Sequence, residues 1–181
     1  MTSSDALDTK FHGLLHEQVR SELGAAQQYL AIAVYFDGAD LPQLAKLFYR
    51  QSVEERNHAM MLVQYFIDRG VPVEIPAVEL VRNAFETPRD AIGLALDLER
   101  SVTEQFSRLA GTARDEGDYL GEQFIQWFLK EQVEEVALMT TLLRIAERAG
   151  ADLFHLEDFV AREIPAPSTD PSAPKAAGGS L

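Results

Sequence analysis

Cysteine is absent from the 181-residue chain, which excludes disulfides, thiol nucleophiles, thiolate-bound iron–sulfur clusters and cysteine-based zinc sites. Basic residues are also few, since 16 lysines and arginines stand against 29 aspartates and glutamates, for a net charge of −13. Such an acidic chain repels phosphate backbones and attracts cations, so we expect no nucleic-acid partner. Any metal must be bound by carboxylate, imidazole, amide or water ligands, which suit hard or borderline metals.

Long apolar runs are lacking too. No segment approaches the ~20 apolar residues that cross a membrane, so we expect no membrane association. The N-terminal sequence MTSSDALDTK has no basic stretch followed by an apolar one, as a signal peptide would. These two absences lead us to predict a cytoplasmic protein.

Four long segments have apolar residues spaced by three or four, the pattern of an amphipathic helix. Capping residues, prolines and glycines bound them, with Asp40, Asp118 and Asp152 as expected N-caps and Thr87-Pro88 opening the third helix. The predicted helices cover about 8–37, 40–70, 87–116 and 118–148, followed by a short fifth helix over about 152–163. The sequence therefore predicts an all-α protein built on a four-helix bundle.

The link between the second and third helices is long enough to run the length of the bundle. Residues 70–86 contain an extended, proline-interrupted stretch, and about 17 extended residues span at most ~55 Å. A 28-residue helix is only ~42 Å long. The link permits, but does not require, a crossover that places helices two and three parallel.

We divide the chain into one helical domain, 1–164, and a flexible Pro/Ala/Gly-rich tail, 165–181. The tail holds four of the eight prolines and ends in Ala-Ala-Gly-Gly-Ser-Leu. Such a composition buries little surface, so we expect it to be mobile. Alternatively, it docks in an encapsulating shell.

Acidic side chains interrupt the apolar stripes where apolar residues are expected. His58 lies three residues after Glu55 and so shares its helix face. The polar residues that interrupt the stripes are Glu22, Glu55, Glu99, Gln132 and Glu135. Each lies 15 to 18 positions, or ~25 Å along its helix, from the turn at Ala39 or Gly117. They therefore fall at one level of the bundle.

One glutamate on a stripe is usually a solvated surface residue. Four helices that bring carboxylates to one depth are different, because buried carboxylates repel one another and take up protons unless a cation compensates them. Two divalent metals bridged by carboxylates would suit Glu22, Glu55, His58, Glu99 and Glu135, with Gln132 beside them. Four-helix di-iron and di-manganese carboxylate proteins use this arrangement.

The chain resembles the bacterial non-haem ferritins over nearly its whole length except the tail. The residues that carry the resemblance are Glu22 and Tyr29, Glu54-Glu55-Arg56-Asn57-His58, Glu99, and Glu131-Gln132-Val133-Glu134-Glu135. It implies a ferritin-like four-helix bundle with a long crossover between helices two and three and a short fifth helix.

The resemblance also implies roles for these residues. Glu22, Glu55 and His58 would bind a first iron, with Glu55 bridging to a second iron at Glu99 and Glu135. Glu54, Glu131 and Glu134, together with Glu135, match a weaker third iron position of the family, and Tyr29 and Trp127 match aromatic residues beside its centre. Asp118 and Glu122 correspond to the region that lines threefold channels. Bacterioferritins carry a haem-binding methionine where this chain has Arg56, so we expect no haem.

The function implied is iron storage. The family oxidises Fe(II) to Fe(III) with dioxygen or hydrogen peroxide at a ferroxidase centre and deposits a ferric oxyhydroxide mineral inside a hollow cage of 24 identical subunits. A second hypothesis is a di-metal oxidoreductase without storage, such as a rubrerythrin-like peroxidase or a manganese catalase. A third is a structural bundle whose interior acids bind no metal.

Overall fold

A computed structural model describes residues 9–164 and 170–181. Within them the chain forms five helices and no strand: α1 (Lys10–Gly38), α2 (Pro42–Asp68), α3 (Pro88–Asp115), α4 (Tyr119–Ala149) and α5 (Leu153–Glu163). The all-α prediction is confirmed, and the predicted helix limits agree to within a few residues, although Asp8 lies outside the described residues. None of the described helices is both long enough and apolar enough to span a bilayer.

Three of the four predicted helix starts are confirmed by hydrogen bonds. Thr87, Asp118 and Asp152 accept the amides of the third residue that follows each of them, at 3.2, 3.0 and 3.1 Å respectively. Each side chain therefore satisfies one of the amide groups left without a partner at a helix start.

The prediction that Asp40 caps α2 is wrong. Asp40 takes a left-handed conformation, with φ at 57°, and the capping position falls to the buried Leu41, which makes no side-chain capping bond. The tight turn after α1 needs a left-handed residue there, a conformation that aspartate tolerates better than most residues. The carboxylate of Glu157, from α5, accepts the amides of Gln43 and Leu44 at 2.9 Å each. A distant helix therefore caps α2.

The direction of the helices follows from contacts along α1. Its first residues, Lys10 and Phe11, donate their amides to Glu116 at the end of α3, and Tyr29, near its other end, contacts Glu99 in the first half of α3. Helix α1 is therefore antiparallel to α3. It is also antiparallel to α2, since Phe36 packs on Phe48 and Phe11 packs on Tyr65.

Helices α2 and α3 are consequently parallel, and residues 69–87 cross the full length of the bundle between them. The side-chain amide of Gln28 pairs with the main chain of Arg82 in this crossover. It donates to the carbonyl and accepts the amide, both at 2.8 Å. The structure thus adopts the crossover that the sequence permitted.

The core is divided into two apolar clusters by a polar layer. One cluster surrounds the α1–α2 turn and includes Tyr29, Phe36 and Phe48, against which Leu156 of α5 packs. The other surrounds the opposite end of the bundle. Along each of the four long helices the interior acids lie between the two clusters, so the apolar packing at both ends fixes the depth of the layer.

The ring of Phe11, from α1, packs against α4 at Gly121. A Cβ atom there would lie 2.7 Å from the ring of the buried Phe11 and 2.9 Å from the Asp118 carboxylate. We expect Gly121→Ala to lower the free energy of unfolding by about 1–3 kcal/mol through overpacking. Gly111, on α3 with open space around it, is the control, and Gly111→Ala should raise stability by about 0.5–1 kcal/mol. Calorimetric unfolding measures both, and equal stability of the two variants would contradict the prediction.

Residues 170–181 pack against α2 and α4, which differs from our expectation of a tail that buries little surface. Ala176 is buried in the second apolar cluster, the Ala177 amide donates to the Met60 carbonyl at 2.9 Å, and the Leu181 amide donates to Asn57 at 3.1 Å. Small alanine side chains let the backbone of this segment approach the helices closely. Residues 165–169 of the tail lie outside the described residues.

Candidate metal centre

Three buried ligand groups from α1 and α2 meet in the polar layer. The Nδ1 atom of His58 lies 3.4 Å from Glu55 Oε2 and 3.9 Å from Glu22 Oε2. One donor atom from each residue lies within 4.8 Å of the other two. All three side chains are almost fully buried, so this group could hold one divalent cation.

Glu99 approaches from α3 and is held by two side chains. The Tyr29 hydroxyl donates to Glu99 Oε1, and the amide Nε2 of Gln132 donates to Oε2 at 2.9 Å. Gln132 Nε2 also lies within hydrogen-bonding distance of the Glu99 carbonyl and of Thr103 Oγ1. Tyr29 and Gln132 thus lie beside the acids, as the sequence predicts, and both residues orient Glu99.

Glu135 completes the layer from α4. Burial and, after it, the negative charges of Glu54 and Glu99 together raise its pKa to about 9. Burial also raises the pKa of Glu22 and Glu55 well above the ordinary range, helped by the charge of Glu55 and of Glu99 respectively. Without a cation Glu135 retains its proton at neutral pH, and the neutral forms of Glu22 and Glu55 are favoured, because the charged forms are desolvated and repel one another.

Two buried carboxylate oxygens in the layer, Glu22 Oε2 and Glu135 Oε2, make no hydrogen bond. Buried polar atoms nearly always find partners, so such oxygens point to an ion that they would bind. A set of four carboxylates and one imidazole fits Fe(II), which accepts oxygen and nitrogen donors. The layer as a whole therefore suits divalent cations better than it suits an apolar core.

Sequence reasoning missed Gln18. Its Nε2 donates to Glu22 Oε1 at 2.6 Å, and its side chain is buried. Four residues before Glu22 on α1, it shares that residue's helix face, and this spacing was the available signal. Thr103, which donates to the Glu99 carbonyl at 2.8 Å, was also missed, because a threonine on a helix gives no comparable signal.

The residues predicted for a third iron position lie at the edge of the layer. Glu54 and Glu131 are partly buried and Glu134 is exposed, and Glu54 accepts a hydrogen bond from Gln51 at 2.9 Å. Burial and the charge of Glu134 raise the pKa of Glu131. Within the described part of the chain, the tight donor cluster is the one at Glu22, Glu55 and His58, so the third position stays a prediction.

The two residues predicted to line a channel are both paired with arginines. Asp118 contacts Arg69 at 3.3 Å and also caps α4, and Glu122 contacts Arg114 at 2.5 Å. These pairs neutralise the two carboxylates within the subunit, so the structure gives no support to a role in collecting cations.

Comparisons with known proteins agree with this geometry. The model of the ferritin-like domain family matches residues 13–149. The chain is 72% identical to ferritin BfrB of Mycolicibacterium smegmatis over the full length of both chains, and 36% identical to a bacterial non-heme ferritin of Staphylococcus aureus over 76% of this chain and 83% of the relative.

Among solved structures, an open pore ferritin from the hyperthermophilic archaeon Archaeoglobus fulgidus superimposes with a TM-score of 0.83 at 28% identity. The match covers 87% of this chain and 98% of that one. The family model spans most of the four-helix region, and one relative matches over the entire chain. This protein therefore belongs to the ferritin family.

Proposed function

We propose that the protein stores iron. It oxidises Fe(II) to Fe(III) at the polar layer of each subunit and keeps the product as a ferric oxyhydroxide mineral inside a hollow 24-subunit cage. The observation that carries the proposal is the buried layer in which Glu22 Oε2 and Glu135 Oε2 make no hydrogen bond. Such a layer destabilises a bundle that binds no metal, so it argues against the purely structural hypothesis.

Two Fe(II) ions are the substrates. The first is bound by Glu22, Glu55 and His58, and the second by Glu99 and Glu135, with Glu55 shared between them. Carboxyl protons leave as the ions bind, because the ligands must be deprotonated. The ions themselves supply the electrons, one each, to dioxygen or hydrogen peroxide.

The protein's own contribution is placement. Gln18 holds Glu22, while Tyr29 and Gln132 hold Glu99, so the carboxylates are oriented before an ion arrives. Partners of this kind commonly set ligand orientation in metal sites. Glu54, Glu131 and Glu134 offer a third position from which ferric product leaves the layer. Arg56, exposed on α2, occupies the position of the bacterioferritin haem ligand, so we propose no haem.

Exposed apolar side chains support assembly into a cage. Leu30 and Val34 lie on α1, and Ile75 and Leu80 lie on the crossover, each at least 46% exposed. Phe154 of α5 is 87% exposed. Large apolar surfaces of this kind are typical of subunit interfaces. Residues 170–181 dock on their own subunit, so the structure does not support their binding to an encapsulating shell. We propose that the cage lies in the cytoplasm.

Aerobic loading with Fe(II) separates storage from the alternative, a di-metal oxidoreductase. Twenty-four copies of a 20.1 kDa chain give about 480 kDa for a closed symmetric cage. We expect iron far in excess of two ions per chain to elute with protein of that size in size-exclusion chromatography with light scattering. A dimer or tetramer that retains two ions or fewer per chain would favour the oxidoreductase instead.

A further inference from the structure

The imidazole of His58 is oriented by two aromatic rings. Trp127 and Phe128 stand nearly perpendicular to it, at interplanar angles of 76° and 79° and centroid distances of 5.7 and 5.8 Å. Edge-to-face contacts of this kind favour one ring orientation. The direction in which Nδ1 faces the carboxylates of Glu55 and Glu22 therefore depends on where Trp127 lies.

Trp127 is in turn held by the tail. Its indole Nε1 donates to Asp170 Oδ2 at 3.1 Å. Asp170 is fixed by Ser172, whose amide and hydroxyl donate to Oδ1 at 2.8 and 2.7 Å, and it lies 3.6 Å from the ammonium of Lys130. The hydrogen bonds from Ser172 and Trp127 lower the pKa of Asp170, so the acceptor is ionised at neutral pH.

We propose that Asp170 is a positioning residue for the metal centre: it fixes Trp127, and Trp127 fixes the ring of His58. This inference rests on the proposed function. It assigns to the C-terminal segment a specific contact with the ligand shell, transmitted through one hydrogen bond and one ring contact. Asp170 itself touches no ligand atom in the layer.

The contact is separable from the docking of the tail. The segment is held on α2 by the burial of Ala176 and by the main-chain amides of Ala177 and Leu181, which donate to the Met60 carbonyl and the Asn57 side chain. Loss of the Asp170 carboxylate leaves those contacts in place. A substitution at Asp170 therefore tests the orientation of Trp127 without removing the segment.

The test measures binding of Zn²⁺, which has no redox chemistry, by titration calorimetry on the metal-free full chain. Asp170→Ala removes the acceptor, Asp170→Asn keeps an oxygen that accepts the indole N–H, and Lys130→Met removes the neighbouring charge alone. We expect Asp170→Ala to weaken the first Zn²⁺ affinity about tenfold, at the lower limit for residues that orient a metal ligand. Asp170→Asn and Lys130→Met should bind as the wild type does.

Fluorescence gives an independent signature, because Trp127 is the single tryptophan of the chain. Its anisotropy should fall in Asp170→Ala and be restored in Asp170→Asn. In a Trp127→Phe background, which has no indole N–H, Asp170→Ala should change the Zn²⁺ affinity no further. A merely structural contribution of Asp170 would persist in that background.

The outcomes distinguish this proposal from the one on which it rests. Equal Zn²⁺ affinities of the wild type and Glu55→Ala would overturn the metal centre itself. If the wild type binds more tightly than Glu55→Ala but Asp170→Ala binds as the wild type does, the positioning role is overturned alone. An undiminished effect of Asp170→Ala in the Trp127→Phe background would overturn it as well.

Discussion

Glu55→Ala should slow the aerobic oxidation of Fe(II) by about 100-fold or more, since even partners one step removed from a metal cost 10–100-fold when replaced. Glu55 faces both halves of the layer. Its Oε2 lies 3.4 Å from His58 Nδ1, and its pKa responds most, after burial, to the charge of Glu99. Loss of this carboxylate removes a ligand from both proposed ions. Stopped-flow absorbance of the ferric product measures the initial rate.

The matched control is Glu104→Ala. Glu104 lies on α3, five residues beyond Glu99, but is exposed to solvent, so its removal changes the charge without touching the layer. His58→Ala should resemble Glu55→Ala, while Glu104→Ala should oxidise Fe(II) at the wild-type rate. If all three variants oxidised Fe(II) as fast as the wild type, oxidation would occur elsewhere and the assigned centre would be wrong.

The metal-free protein should lose stability as the pH rises from about 5 to 9. Glu22, Glu55 and Glu135 have raised pKa values in the folded chain, Glu135 to about 9. The folded state therefore binds more protons than the unfolded state in this window. The stabilisation by each protonated carboxyl group is complete below the pKa that the group has in the unfolded chain, and it is lost as the pH rises through the pKa of the folded chain. For Glu135 the loss is about 1.4 kcal/mol per pH unit.

Calorimetry at several pH values measures this slope. Glu135→Gln should reduce the slope by the contribution of one group, whereas Glu104→Gln, at an exposed position of α3, should leave the slope unchanged. Anaerobic Fe(II) should reverse the trend, because the ion binds deprotonated ligands and stabilises the folded state more as the pH rises. A melting temperature of the metal-free protein that rises from pH 5 to pH 9 would contradict the buried-carboxylate account.

The level of the polar layer could be predicted because helix geometry converts a count of residues into depth. Glu22 and Glu55 lie at similar distances from the α1–α2 turn, as do Glu99 and Glu135 from the α3–α4 turn, and all four are buried. The rise per residue is nearly constant in a helix. Local sequence therefore specifies depth before any contact between helices is known.

What could not be predicted depends on contacts between distant segments. Aspartate is a typical N-cap residue, but the turn places Asp40 in a left-handed conformation, and the start of α2 is capped instead by Glu157, 117 residues further along the chain. Likewise, the composition of the tail indicated little burial, yet Ala176 and the Ala177 amide find partners on α2. Propensity describes a segment in isolation, and tertiary contacts override it.

Anomalous diffraction from crystals soaked in Fe(II) tests the central claim most directly, because it locates ions and identifies their ligands together. The account predicts two iron peaks inside each bundle, one bound by Glu22, Glu55 and His58 and the other by Glu55, Glu99 and Glu135. Iron found only on the outer surface of the bundle, with the buried carboxylates left without any ion, would contradict it.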